Sequence, residues 1–112
     1  MKKFEFKYQF EFFCSPIWIE ENVKNPTPRN VEIADLDINP YLKEELEELN
    51  HLYQEIFNDN YPPESDFKDV ISEYIFVNRV LTSAELLEKE VGEQYTFFFD
   101  YPKWREKLAN LL

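Results

Sequence analysis

The sequence predicts an α+β domain, on three observations. Residues 3–12 alternate aromatic and polar side chains, leucines after Asn39-Pro40 recur at three and four, and a second aromatic alternation runs from Tyr95 to Asp100. Strand, helices and strand in that order give a small antiparallel or mixed sheet, with strands near 3–13 and 94–100. Helices near 40–58, 65–91 and 102–111 then cover one face. With 112 residues, 44% of them apolar and 18% aromatic, the chain 1–112 fits a single domain with its own core.

The first strand places Phe4, Phe6, Tyr8, Phe10 and Phe12 on one side and Lys3, Glu5, Lys7, Gln9 and Glu11 on the other. Each ring, once buried, contributes roughly 1.5–3 kcal/mol, so a one-residue slip in register is strongly disfavoured. Pro16 ends or bends this strand. Ile17, Trp18 and Ile19 form a short second extended piece, 25–30 reads as loop on composition, and Val31-Glu32-Ile33 is too brief to assign. Asn39-Pro40 opens a helix with a side-chain cap and a proline in the first turn. Its apolar stripe is Leu42, Leu46, Leu49, Tyr53 and Ile56, its early glutamates complement the helix dipole, and Tyr61-Pro62-Pro63 stops it.

A further helical pattern starts near Ser65 or Asp66 and carries Phe67, Val70, Ile71, Tyr74, Val77 and Leu81. Thr82-Ser83-Ala84-Glu85 resembles a capping box that would begin a separate helix, but no Gly or Pro interrupts 64–91, which favours one continuous helix. Gly92, the only glycine, falls where a left-handed C-cap is expected. Tyr95, Phe97 and Phe99 then form a strand suited to lie beside the first, and Asp100-Tyr101-Pro102 opens a terminal helix striped by Trp104, Leu108 and Leu111.

No group of side chains is assembled for catalysis. His51 is the sole histidine, so no paired-histidine metal motif exists, and it reads as a solvated helical residue. Cys14 is the sole cysteine, which excludes an internal disulfide and a thiolate zinc cage and suits a reducing compartment. Asp35-x-Asp37-x-Asn39 starts like a calcium loop, yet Pro40 replaces the turn glycine and Leu46 the bidentate glutamate. One glycine cannot build a phosphate loop. We therefore expect no enzyme activity, no cofactor and no metal. The N-terminal stretch has charges through its aromatic run, and no 18-residue apolar stretch follows, so the expected location is the cytoplasm and no membrane is spanned.

Twenty-three acidic residues oppose twelve Lys and Arg, a net charge of −11. That surplus repels nucleic acid and anionic lipid and attracts basic protein surfaces. Between Asp35 and Asp69 only Lys43 and Lys68 oppose a dense run of acids. The candidate partner-binding residues are the acids Asp35, Asp37, Glu44, Glu47, Glu48, Glu55 and Asp59, with Trp18, Tyr41 and Tyr61 as aromatic anchors. Helical carboxylates of this kind can stand in for phosphates on an enzyme that handles nucleic acid.

The aromatic strand running into Phe13-Cys14-Ser15-Pro16-Ile17-Trp18, the acidic passage before Leu42, Tyr61-Pro62-Pro63-Glu64-Ser65-Asp66-Phe67 and Phe76-Val77-Asn78-Arg79 together resemble a family of small acidic bacterial proteins of uncharacterised or immunity type. The similarity covers 3–99. It implies a protein encoded beside a toxin and neutralising it by direct binding, with no catalytic residues to carry over. Trp18 and Arg79 could equally define the fold, Arg79 by pairing with an acidic neighbour. The leading expectation is thus an acidic immunity or inhibitor protein that occludes a basic toxin, a nuclease among the candidates. The alternative is a non-catalytic adaptor or regulatory protein acting through protein contacts or self-association.

Overall fold

The computed structural model describes residues 3–21, 24, 27–56, 67 and 69–111. Four strands, β1 (Phe4–Tyr8), β2 (Ile17–Glu20), β3 (Pro28–Val31) and β4 (Tyr95–Phe98), form one sheet in the order β3-β2-β1-β4. β1 runs antiparallel to β2 and parallel to β4, and β2 runs antiparallel to β3, so the sheet is mixed. Among the described residues three α-helices, α1 (Pro40–Glu55), α2 (Val70–Val91) and α3 (Tyr101–Leu111), and a 3-10 turn at Ile33–Asp35 complete the α+β fold the sequence predicts.

The pairings Phe6↔Ile19 and Phe6↔Phe97 gather Phe4, Phe6, Tyr8, Ile17, Ile19, Tyr95 and Phe97 on the helix-covered face. Lys7↔Trp18 and Lys7↔Phe98 put those side chains on the opposite, open face. The first strand is shorter than its alternation suggests. It leaves the ladder after Tyr8, yet Phe10 stays buried and is the junction of the core. Its ring lies 5.1 Å from Tyr53, 5.9 Å from Phe76 and 5.8 Å from Trp104, tying the β1 end to all three helices.

The segment read as loop holds β3. Pro28 occupies its outer end, where a missing amide is tolerated, and the Asn30 amide donates to the carbonyls of Ser15 and Ile17. Ser15 is buried, with its hydroxyl donating to the Val31 carbonyl at 2.6 Å. The Cys14-Ser15-Pro16 passage is therefore the joint between β1, β2 and β3.

α1 opens as expected, with Asn39 Oδ1 accepting from the amides of Tyr41 and Leu42. Its first turn holds no acid, so the glutamates of later turns lie beyond the short reach of the helix dipole. α2 is one continuous helix, but it starts at Val70, capped by Asp69, and Phe67 precedes it and packs on Phe76. Ser83 is no cap. Its buried hydroxyl donates to the Val80 carbonyl and accepts from Tyr8 at 2.8 Å, so burial rather than ionisation decides that phenol, whose pKa is pushed far up. Gly92 keeps right-handed helical angles (φ −64°), and a Cβ there would meet the Glu88 carbonyl oxygen at 2.6 Å. Space, not a left-handed turn, is what favours glycine.

Candidate functional site

On α1 the residues Leu42, Leu46 and Leu49 are buried, which turns Tyr41, Glu44, Glu48, His51 and Glu55 outward along one stripe spaced at three, four and seven. Glu47 is exposed on the flank beside it. From Glu44 to Glu55 the helix carries no Lys or Arg. Glu44 and Glu47 make no hydrogen bond or ion pair among the described residues, so their full charge meets solvent. Glu55 Oε1 lies 3.0 Å from His51 Nε2 in an exposed contact.

The acids are not one uniform field. Arg79 of α2 donates from Nε and Nη2 to both oxygens of Glu45, at 3.0 and 2.6 Å, and Nη2 also reaches Glu48 at 3.3 Å. The hydrogen bonds to Glu45 hold the guanidinium protonated even more firmly than usual. Glu48 remains largely exposed and faces both Arg79 and solvent. The pairing of Arg79 with an acidic neighbour, raised as one reading of the sequence, is what the structure displays.

Tyr41 is 82% exposed and stands at a groove of about 480 Å³ between α1 and α2, lined also by Leu42, Glu45, Leu86, Lys89 and Glu90. Asp35 and Asp37 belong elsewhere. They line a second groove near the β3 edge with Phe4, Glu20, Arg29 and Tyr95. The third oxygen of the calcium-like run, on Asn39, is committed to the α1 cap. Trp18 is half-buried on the open sheet face, its indole N–H donating to the Gln9 carbonyl at 3.1 Å. That bond gives it a structural task at the β1–β2 connection. Asp59 and Tyr61 lie outside the described residues, as does the stop at Tyr61-Pro62-Pro63.

One surface aromatic was not among the sequence candidates. Phe13, read as the end of the first strand, sits in a turn at φ 66° with 78% of its surface exposed. Its amide donates to Gln54 Oε1 at 2.7 Å, which fastens it to the last turn of α1 beside the acidic stripe.

The fold and this surface define a small α+β protein with an exposed acidic helix flanked by exposed aromatic rings. The chain belongs to the Serratia CdiI immunity protein-like family, whose model matches residues 5–102. That membership points to an inhibitory role exercised through protein contact. No curated protein matches the chain. Among the described residues no helix is long and apolar enough to cross a membrane, and no three His, Cys, Asp or Glu side chains converge as a metal site.

Proposed function

We propose that this protein neutralises a basic toxin by binding over its working surface, with α1 as the leading element and no catalysis of its own. The observation that carries the reading is the cation-free stretch of α1, with Glu44, Glu47, Glu48 and Glu55 exposed, in a chain of an immunity-protein family. A nuclease fits as the toxin class, because an enzyme that grips phosphates needs a cationic surface that helical carboxylates can occupy. The action is steric and electrostatic and takes place in the cytoplasm, where the toxin would otherwise work.

The experiment is co-expression with the polypeptide encoded by the adjacent open reading frame, followed by capture and by association kinetics. Stable capture, protection of the host and an association rate falling about tenfold or more from low to high salt are expected. Absence of binding, or an association rate indifferent to salt, refutes the reading. The adaptor alternative would use the open sheet face, where Phe98 is exposed beside Lys7. A wild-type homodimer dissociated by Phe98→Ser would favour it.

A further inference from the structure

We infer that the outward side of α2 is the second half of the partner-binding face, taking an apolar ridge of a basic protein whose Lys and Arg side chains lie along the flank that meets α1. The inference deepens the proposed function and rests on it. α2 needs one apolar stripe to fold, and Phe76, Val77, Val80, Ala84, Leu87 and Val91 supply it. It carries another. Ile71, Ile75 and Leu86 recur at helical spacing on the side away from that stripe and are 57%, 52% and 46% exposed. Isoleucine is a middling helix former, so at an exposed helical position it adds little propensity and little burial to the folded chain. Single surface apolar residues are ordinary, whereas a row about 22 Å long on one helix marks a contact surface.

The row adjoins the acidic stripe. Leu86 lines the groove of about 480 Å³ between α1 and α2 together with Tyr41, the ring that is 82% exposed. Farther along, Arg79 meets Glu45 and Glu48, and the Phe76 ring lies 6.5 Å from that of Tyr53. Residue numbers thus rise along α1 as they fall along α2, so the helices are antiparallel and the apolar row runs beside the acids of α1 from Tyr41 toward Glu55. Apolar and acidic strips share one face.

Charge decides the occupant. From Glu44 to Glu55 α1 has no Lys or Arg, and Glu44, Glu47, Glu48 and Glu55 are exposed. Across the groove Arg79 is committed to Glu45 and Glu48, and the exposed charges beside Leu86, Glu85 and Lys89, sum to zero. The surface that fits is cationic on one flank and apolar along its middle. A second copy would bring a charge of −11 and the same acidic strip to the contact, which opposes self-pairing through this face. The two strips divide the work. Carboxylates act at a distance and set the association rate, while the apolar row acts only on contact and sets the dissociation rate.

The test compares wild type with the double variants Ile75→Gln/Leu86→Gln and Glu44→Gln/Glu47→Gln, with the purified polypeptide from the adjacent open reading frame as probe. Glutamine suits an exposed helix, so the Tm of Ile75→Gln/Leu86→Gln should stay within about 4 °C of wild type. Its complex should dissociate at least about fivefold faster, with the association rate and salt dependence of wild type. Glu44→Gln/Glu47→Gln should show the converse, a slower association with a flatter response to salt. A dissociation rate raised less than fivefold in Ile75→Gln/Leu86→Gln overturns the inference, and so does a Tm lowered by more than 4 °C, which would assign the row to packing within the chain. A wild-type homodimer that this variant dissociates also overturns it, because the occupant would then be a second copy. If wild type itself fails to bind the probe, the immunity reading falls and this inference with it, whereas a variant that binds like wild type removes this inference alone.

Discussion

Replacing Arg79 by methionine separates a structural from a recognition role for a residue that the family resemblance singles out. Methionine keeps an apolar stem of similar length and removes the guanidinium. Arg79 joins α2 to α1 through both oxygens of Glu45, and the two side chains are 31% and 34% exposed. That places the pair between a surface ion pair, about 0.2–1 kcal/mol, and a fully buried one, about 3–5 kcal/mol on loss of a partner. The bidentate geometry favours a loss of about 1–2 kcal/mol for Arg79→Met. At this chain length about 1 kcal/mol corresponds to about 4 °C, so the Tm should fall by about 4–8 °C. A cycle with Glu45→Gln, read by urea unfolding, should give a coupling of about 1 kcal/mol. Binding should persist, because the change takes the net charge from −11 to −12 and releases Glu45 and Glu48. A Tm within 2 °C of wild type, together with loss of binding, would refute this reasoning and make Arg79 a contact residue.

Two further perturbations check the frame that presents the site. Asn39→Ala removes the acceptor for two amides at the start of α1 and should cost about 1 kcal/mol, seen as a Tm lower by about 4 °C. An unchanged Tm would mean solvent replaces the cap. Ser83→Ala leaves the buried Tyr8 hydroxyl without its acceptor and should destabilise by about 1–3 kcal/mol in urea unfolding. Adding Tyr8→Phe removes the stranded hydroxyl, so the double variant should be more stable than Ser83→Ala alone. A double variant that is less stable would show that the bond is not what Ser83 supplies.

What could be read from the sequence was whatever local chemistry specifies. Alternation fixed the buried side of β1, and Asn39-Pro40 marked the start of α1 because cap and proline act within one turn. β4 was legible from its aromatic alternation and lies beside β1 as expected, although the direction of pairing, parallel, is set by the α2 crossover. β3 was not legible. Pro28-Arg29-Asn30 has loop composition, and what makes it a strand is the amide of Asn30 bonding across to Ser15 and Ile17. The same limit applies to the site. The outward acids of α1 follow from helical periodicity, whereas the neutralising partner of Glu45 lies 34 residues away and the clamp on Phe13 lies 41 residues away. Neither Gly nor Asn marks Phe13 as left-handed, so no local signal existed to find it.

The way the fold distributes its acids bears on how it would bind. α1 concentrates glutamates where the helix dipole gives them little help, and like charges at helical spacing repel by a few tenths of a kcal/mol per pair. Burial of Leu42, Leu46 and Leu49 outweighs that repulsion, since each leucine contributes roughly 1.5–3 kcal/mol. Arg79 relieves it on the side facing α2, at Glu45 and Glu48. The exposed acids Glu44 and Glu47, which make no ion pair among the described residues, therefore retain a repulsion that internal packing tolerates and an approaching cationic surface would remove. Under the proposed function, part of the driving force for association is stored in the free protein as this unrelieved charge. High salt would release that part before any contact forms, which is why the salt dependence of association, more than the final affinity, reports on the role of α1.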